Sequence, residues 1–206
     1  TSGDLIAAAN ASFEALGIAT QLDPKTDAAT ALRGGRKMLT LGLERVGQYS
    51  ADLVDQGYPI LLDAYREAID THTVLYPGAM EAVEALKSQD MRVGICTNKP
   101  EGLAHLLLTR LGVLDAFHSM VGADTVATRK PDIAPYVAAV ERAGGDVARS
   151  CIIGDSVTDR DTAVAAGVPC VLVGFGPAGD DMAALNPDAI IGHFDELPAL
   201  AQRLLP

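Results

Sequence analysis

Three short polar segments, each beyond an apolar run, carry the side chains best suited to chemistry. They are Ile95-Cys96-Thr97-Asn98-Lys99-Pro100, Arg129-Lys130-Pro131 and Ile152-Ile153-Gly154-Asp155-Ser156-Val157-Thr158-Asp159. Together they offer a hydroxyl, an ammonium and a pair of carboxylates. That set suits a phosphoryl group held beside a hard divalent cation: such cations prefer oxygen ligands, and an ammonium offsets the charge that carboxylates and phosphate share.

Each segment has a chemical reading and a plainer one. Thr97 follows a strand-like run, and Pro100 suits the first position of a helix because it lacks the amide that would go unpaired there. The Thr97 hydroxyl, the amides of Asn98 and Lys99 and the positive helix end could then all face one anion, which makes Thr97 and Asn98 candidate binding residues. The same residues also read as a simple turn that caps a helix. Lys130 precedes a predicted helix, where an inward ammonium would neutralise a phosphate and nearby carboxylates; most loop lysines are solvated. In the third segment two buried isoleucines are expected to deliver Asp155 to a strand end, Gly154 to let the backbone turn, and Asp159 to fall four residues later in the first turn of a helix. Two gathered carboxylates suggest magnesium, with Asp155 and Asp159 as ligands and Asp161 as a weaker third candidate. An Asp in this position also serves as an ordinary N-cap.

The elements that must position these residues fall into two blocks. Up to about residue 75 the pattern is helical only: Asp4 to Leu16 with Gly17 after it, a helix through Met38, Leu39, Leu41, Leu43 and Val46 ending near Gly47, and a longer one from Asp52 to Thr71. Tyr76-Pro77-Gly78 marks a boundary. Beyond it strands alternate with helices. The strand-like runs are Arg92 to Cys96, Ser119 to Val121, Cys151 to Ile153, Cys170 to Val173 and Ala189 to Ile191. Helical stretches at Ala79 to Lys87, Glu101 to Leu111, Ile133 to Ala143, Asp159 to Ala166 and Glu196 to Leu204 lie before, between and after them. Regular alternation predicts an α/β fold, a Rossmann-like parallel sheet with helices on both faces, preceded by an α-helical domain. In such sheets ligands bind beyond the carboxyl ends of the strands, where all three polar segments lie.

Composition narrows the function classes. A formal charge of -11 over 206 residues, without a basic stripe, argues against a nucleic-acid surface. Cys96, Cys151 and Cys170 are scattered beside apolar runs, which argues for a reducing compartment and against disulfides or zinc. No signal peptide is visible and no apolar stretch reaches membrane-spanning length, so the expected location is the cytoplasm. Gly174-Phe175-Gly176-Pro177-Ala178-Gly179 fits a dinucleotide fingerprint, but too little chain follows it to complete a nucleotide-binding half, and a loop at the rim of the sheet is expected instead.

In order and context the three segments resemble the second, third and fourth motifs of the haloacid dehalogenase (HAD) superfamily of phosphohydrolases. Asp4-Leu5-Ile6-Ala7-Ala8-Ala9-Asn10, Tyr76-Pro77-Gly78 and Phe194-Asp195-Glu196-Leu197 are similar to segments of its phosphoglycolate phosphatase-like branch. The resemblance implies a HAD-like α/β core at 76–206 and an α-helical cap at 1–75. It implies a magnesium-dependent phosphatase acting on a small phosphorylated metabolite, first of all 2-phosphoglycolate, through a phosphoaspartyl intermediate. Thr97 would bind the transferring phosphoryl, Lys130 would neutralise charge, and Asp155 would ligate magnesium with Asp159 in support. Arg33-Gly34-Gly35-Arg36 occupies a place where relatives present substrate-selecting residues, and Arg36, or Arg33, could clamp a carboxylate or phosphate there. The family's first motif, an apolar strand ending in Asp-x-Asp-Gly-Thr with the nucleophile, is expected immediately upstream of Thr1; Asp4 is no substitute, having no apolar strand before it. A sugar-phosphate mutase, a nucleotide phosphatase or a pyrophosphatase would share the core motifs. A noncatalytic phosphate-binding or dimerising module is the alternative outside enzymes. No nucleic-acid or membrane partner is expected, and the protein should be a monomer or homodimer.

Overall fold

The computed structural model describes residues 1–31, 33–176 and 181–205, so the part of the glycine-rich stretch at 177–179 lies outside the described residues. Two compact units follow each other along the chain, Thr1–Val74 and Leu75–Pro206.

The first unit is helical: α1 (Ser2–Ala15), α2 (Ala28–Ala31), α3 (Gly35–Arg45) and α4 (Ala51–Glu67). Ser50 starts α4 as an N-cap whose side chain accepts from the Leu53 amide. Ile6, Phe13, Met38, Leu39, Leu43, Leu61, Tyr65 and Ile69 form the core of this unit. Glycine lets the helices approach closely, as a β-carbon on Gly42 would lie 2.2 Å from the Phe13 ring. We expect Gly42→Ala to lower the stability of this unit by about 1–3 kcal/mol through overpacking, read as a shift in its thermal or denaturant midpoint. Two buried carboxylates fasten the loops. Asp4 accepts from the His72 amide (2.7 Å) and the Thr73 hydroxyl (2.5 Å), so it holds the end of the unit to its start. Asp27 takes a two-point bond from Arg45, at 2.6 and 2.8 Å. The Arg45 guanidinium, first among its partners, holds the Asp27 carboxyl below its usual range.

The second unit runs α5 (Ala79–Ser88), β1 (Gly94–Cys96), α6 (Glu101–Arg110), β2 (Ser119–Val121), α7 (Ala134–Arg142), β3 (Ile152–Gly154), α8 (Val157–Ala166), β4 (Cys170–Val173), β5 (Ala189–Ile191) and α9 (Leu197–Leu204). All described pairings are parallel: β1 with β2, and β3 with β4 and β4 with β5. Register assigns the faces. Ile152, Cys170 and Leu172 share one face and pack with Tyr136 of α7 and Ala163 of α8. Val171, Val173 and Ile191 share the other and pack with Leu86 of α5 and Leu197 and Leu200 of α9. This is the expected α/β layering, with helices on both faces of parallel strands.

Two sequence expectations change. The strands form a two-stranded and a three-stranded ladder, not one continuous sheet, among the described residues. Cys96 of β1 nevertheless packs against the cluster that contains Ile152 and Leu172, so the ladders share a core on the α7 side. Of the two isoleucines before Asp155 only Ile152 is buried; Ile153 points to the other face and is 37% exposed. Its neighbour on β4, Val171, is covered on that face by α5 and α9, whereas Ile153 lies at the outer edge of the ladder. Among the described residues no helix is long and apolar enough to cross a membrane.

Candidate active site

The ends of β1 and β3, the loop before α7 and the first turn of α8 bring the three polar segments together. Lys130 is the link. Its ammonium donates to the carbonyl of Cys96 at the end of β1 (2.8 Å) and to Asp159 Oδ1 in α8 (2.6 Å). Both side chains of this ion pair are nearly buried, at 11% and 8% exposure, so water screens it little.

Asp159 is fully engaged by protein donors. While Oδ1 takes the ammonium, Oδ2 accepts from the Ser156 hydroxyl (2.6 Å) and the Asp155 amide (3.2 Å). Gly154 makes this possible, for a different reason than expected. A β-carbon there would sit 2.3 Å from that of Asp159, so the glycine is needed for close approach. Ser156 is the N-cap of α8, with its side chain accepting from the Asp159 amide. The pattern Ser-x-x-Asp is a capping signature legible in the sequence, although sequence reasoning did not single out Ser156.

Asp155 stands beside this pair as a second carboxylate. Burial, and next the negative charge of Asp159, push its carboxyl above the usual range, against the pull of Lys130. The loop after β4 comes close on another side, where a β-carbon on Gly176 would lie 3.1 Å from that of Asp155. Tyr76, read in the sequence only as part of the Tyr76-Pro77-Gly78 boundary, stacks edge-on with Phe175 at 5.2 Å, and burial and the Asp155 charge both push its phenol up. A carboxylate destabilised by burial and by a neighbouring negative charge is one that a cation would relieve. Magnesium is commonly held by one or two carboxylates and several waters, which leaves Asp155 a candidate ligand; among the described residues no group of three or more His, Cys, Asp or Glu side chains is placed to hold a metal ion.

The first polar segment behaves differently from the anion cradle expected of it. Thr97 stands directly after β1, its amide bonded to the Val121 carbonyl, and its hydroxyl accepts from the Lys99 amide at 3.1 Å. The Lys99 amide is therefore turned onto Thr97. Pro100 is the N-cap of α6, one position earlier than expected, and the Glu101 amide is capped by Asp124 from the loop after β2 at 2.7 Å. A carboxylate at this helix end offsets its attraction for an anion. The Asn98 side chain donates to the Lys130 carbonyl (2.9 Å) and so ties this segment to the lysine loop.

Arg36 belongs to the first unit. Its guanidinium pairs with Asp55 and lies over the Tyr58 ring, 4.6 Å from the centroid. With Lys37, Thr40 and Tyr49 it lines an open cavity of about 220 Å³. Cys96, Cys151 and Cys170 are all free, and burial pushes each thiol up, which fits a packing role.

Comparison with known proteins gives the family. The family model of haloacid dehalogenase-like hydrolases matches residues 29–173. The phosphoglycolate phosphatase of Mesorhizobium japonicum is 38% identical over 175 residues, covering 84% of this chain and 77% of its own. That of Agrobacterium fabrum is 36% identical over 211 residues, covering all of this chain and 88% of its own. In fold, the chain is similar to the crystal structure of a predicted phosphoglycolate phosphatase from Haemophilus somnus, with a TM-score of 0.86 at 22% identity over 98% of this chain and 92% of the other. The polar segments at the strand ends, the parallel α/β core around them and these relatives lead to one conclusion: the chain belongs to the haloacid dehalogenase-like hydrolases, enzymes here related to phosphoric monoester hydrolases.

Proposed function

We propose that the protein is a magnesium-dependent phosphatase of a small phosphorylated metabolite, with 2-phosphoglycolate as the first substrate to test. The observation that carries this reading is the nearly buried Lys130 ammonium, held between the end of β1 and Asp159 and next to Asp155. A fixed positive charge beside a carboxylate suited to magnesium is what a transferring phosphoryl group requires, since its transition state spreads negative charge over the equatorial oxygens. The names of the relatives support the choice of substrate.

In this proposal Thr97 binds the phosphoryl through its hydroxyl, Lys130 neutralises its charge, and Asp155 is a magnesium ligand. Asp159 supports the site as the counter-ion of Lys130. When bound, magnesium would supply Lewis-acid stabilisation of the phosphoryl oxygens. The nucleophile, in the reaction that the family resemblance implies, is an aspartate at the end of an extended segment seated between β1 and β3. Three features support that seat. The other edges of β1 and β3 are paired with β2 and β4. An unpaired strand edge presents a row of amides and carbonyls that an extended segment can pair with. Ile153 is exposed where its β4 neighbour is covered. The aspartate oxygen attacks phosphorus as the ester oxygen leaves and takes up a proton, and water then releases inorganic phosphate.

A screen of phosphorylated metabolites with the purified protein tests the reading. Turnover should require magnesium, stop on chelation and return when the metal is restored. Undiminished turnover in verified metal-free enzyme would sink it. The helical unit is proposed as a cap that selects the substrate through Arg36. Arg36→Ala should then raise KM severalfold for a phosphate ester that also bears a carboxylate, with little effect on a simple aryl phosphate. Equal effects on both would leave Arg36 as the partner of Asp55 and Tyr58 alone.

A further inference from the structure

Lys130 is held at both ends, and two of the residues that fix it there, Ser156 and Asn98, bear no charge themselves. Its ammonium has a long flexible stem, and a lysine held in one place loses rotamer entropy that fixed partners must offset. At the ammonium end the partners are the Cys96 carbonyl, at 2.8 Å, and Asp159 Oδ1, and that carboxylate is itself oriented by the Ser156 hydroxyl on Oδ2, the last two contacts both at 2.6 Å. At the backbone end Asn98 Nδ2 bonds the Lys130 carbonyl at 2.9 Å. The two tethers start from different strand ends, Asn98 beyond β1 and Ser156 beyond β3.

We infer that Ser156 and Asn98 are positioning residues that clasp Lys130 from its two ends, so that its ammonium meets the phosphoryl group in a preset place. This rests on the phosphatase reading only for its consequence; the clasp itself is a matter of geometry. Ser156 acts through Asp159: without the hydroxyl, Asp159 keeps the Asp155 amide as its remaining partner on Oδ2, the longer contact at 3.2 Å. The carboxylate is then held less firmly, and the ammonium keeps the Cys96 carbonyl as its one well-fixed partner. Asn98 sets how far the lysine backbone stands from the end of β1. Binding a phosphoryl group by a preorganised ammonium needs both, because misplacement by an ångström forfeits much of a short-range electrostatic contact.

The test uses two readouts. In the first, Lys130 acetylation by a water-soluble acylating reagent is followed by mass spectrometry, with exposed Lys25 and Lys37 as internal references. Ser156→Ala and Asn98→Ala should each speed labelling of Lys130 several-fold and leave the references unchanged, whereas Ser156→Thr, which restores the hydroxyl, should return the rate to within about twofold of wild type. In the second, affinity for inorganic phosphate is measured with magnesium present. Ser156→Ala should weaken it about 3–10-fold in the wild-type background and add nothing in the Lys130→Ala background, since residues that act through one group are not additive. Ser156→Ala also removes the α8 cap, but that loss is common to both backgrounds. Unchanged Lys130 labelling in both alanine variants, or equal weakening of phosphate binding in both backgrounds, would overturn the clasp. Failure of the wild-type protein to bind phosphate would refute the phosphatase reading, while the labelling result would still decide the clasp.

Discussion

Replacing Lys130 with Ala should lower kcat by about 10²–10³-fold, the scale known for removal of one preorganised electrostatic donor. The ammonium is nearly buried and bonded at once to the Cys96 carbonyl and to Asp159. Removing it takes away charge stabilisation at the phosphoryl group and leaves Asp159 without its cation. Asp155 loses the cation that, with a backbone hydrogen bond, lowers its carboxyl, so two carboxylates face each other without a neutralising charge. Breaking a buried pair in this way costs about 3–5 kcal/mol of stability, so the loss of rate must be read from protein whose folding is verified by circular dichroism. Lys130→Met keeps most of the stem, limits the packing defect and should lose the rate to a similar degree. A folded variant of either kind with wild-type kcat would remove Lys130 from the mechanism.

Asp155→Asn should abolish high-affinity magnesium binding and with it turnover, while stabilising the metal-free fold at neutral pH. The two effects have one origin. Burial and the charge of Asp159 raise the folded-state carboxyl above its ordinary value. A raised carboxyl means that the folded state binds its proton more tightly than the unfolded chain does. Stability from this group is therefore greatest below the unfolded value and falls as pH rises through the folded one. At neutral pH the ionised group costs stability, and the neutral amide of similar shape relieves that cost. Titration calorimetry with magnesium and thermal melts in chelator separate the two effects. Magnesium affinity equal to wild type would reject Asp155 as a ligand, and a lower melting temperature in chelator would mean that its carboxylate is held by contacts stronger than the repulsion.

Periodicity made most of the architecture legible, since hydrophobic spacing is a local property. Ser119–Val121, Cys170–Val173 and Ala189–Ile191 are strands where alternation of strands and helices placed them, and Gly17 and Gly47 adopt the positive φ expected of residues that follow a helix. The gathering of the three polar segments was legible too, because consecutive parallel strands all present their carboxyl ends on one side. Tertiary structure decided the rest. Which donor fills which acceptor depends on distances between segments far apart in the chain. Lys130 finds Asp159 across 29 positions and Asn98 finds the Lys130 carbonyl across 32. No spacing rule foretold that the Asn98 amide would face the lysine loop, that Asp124 would cap α6, or that Gly154 would be required by the Asp159 side chain. Ile153 looked buried by composition, yet its exposure is set by which ladder edge it occupies. The sequence by itself determined the chemical groups and the strand ends that carry them; only the fold determined which of those groups hold one another in place, because a side-chain hydrogen bond is fixed by geometry that local sequence does not contain.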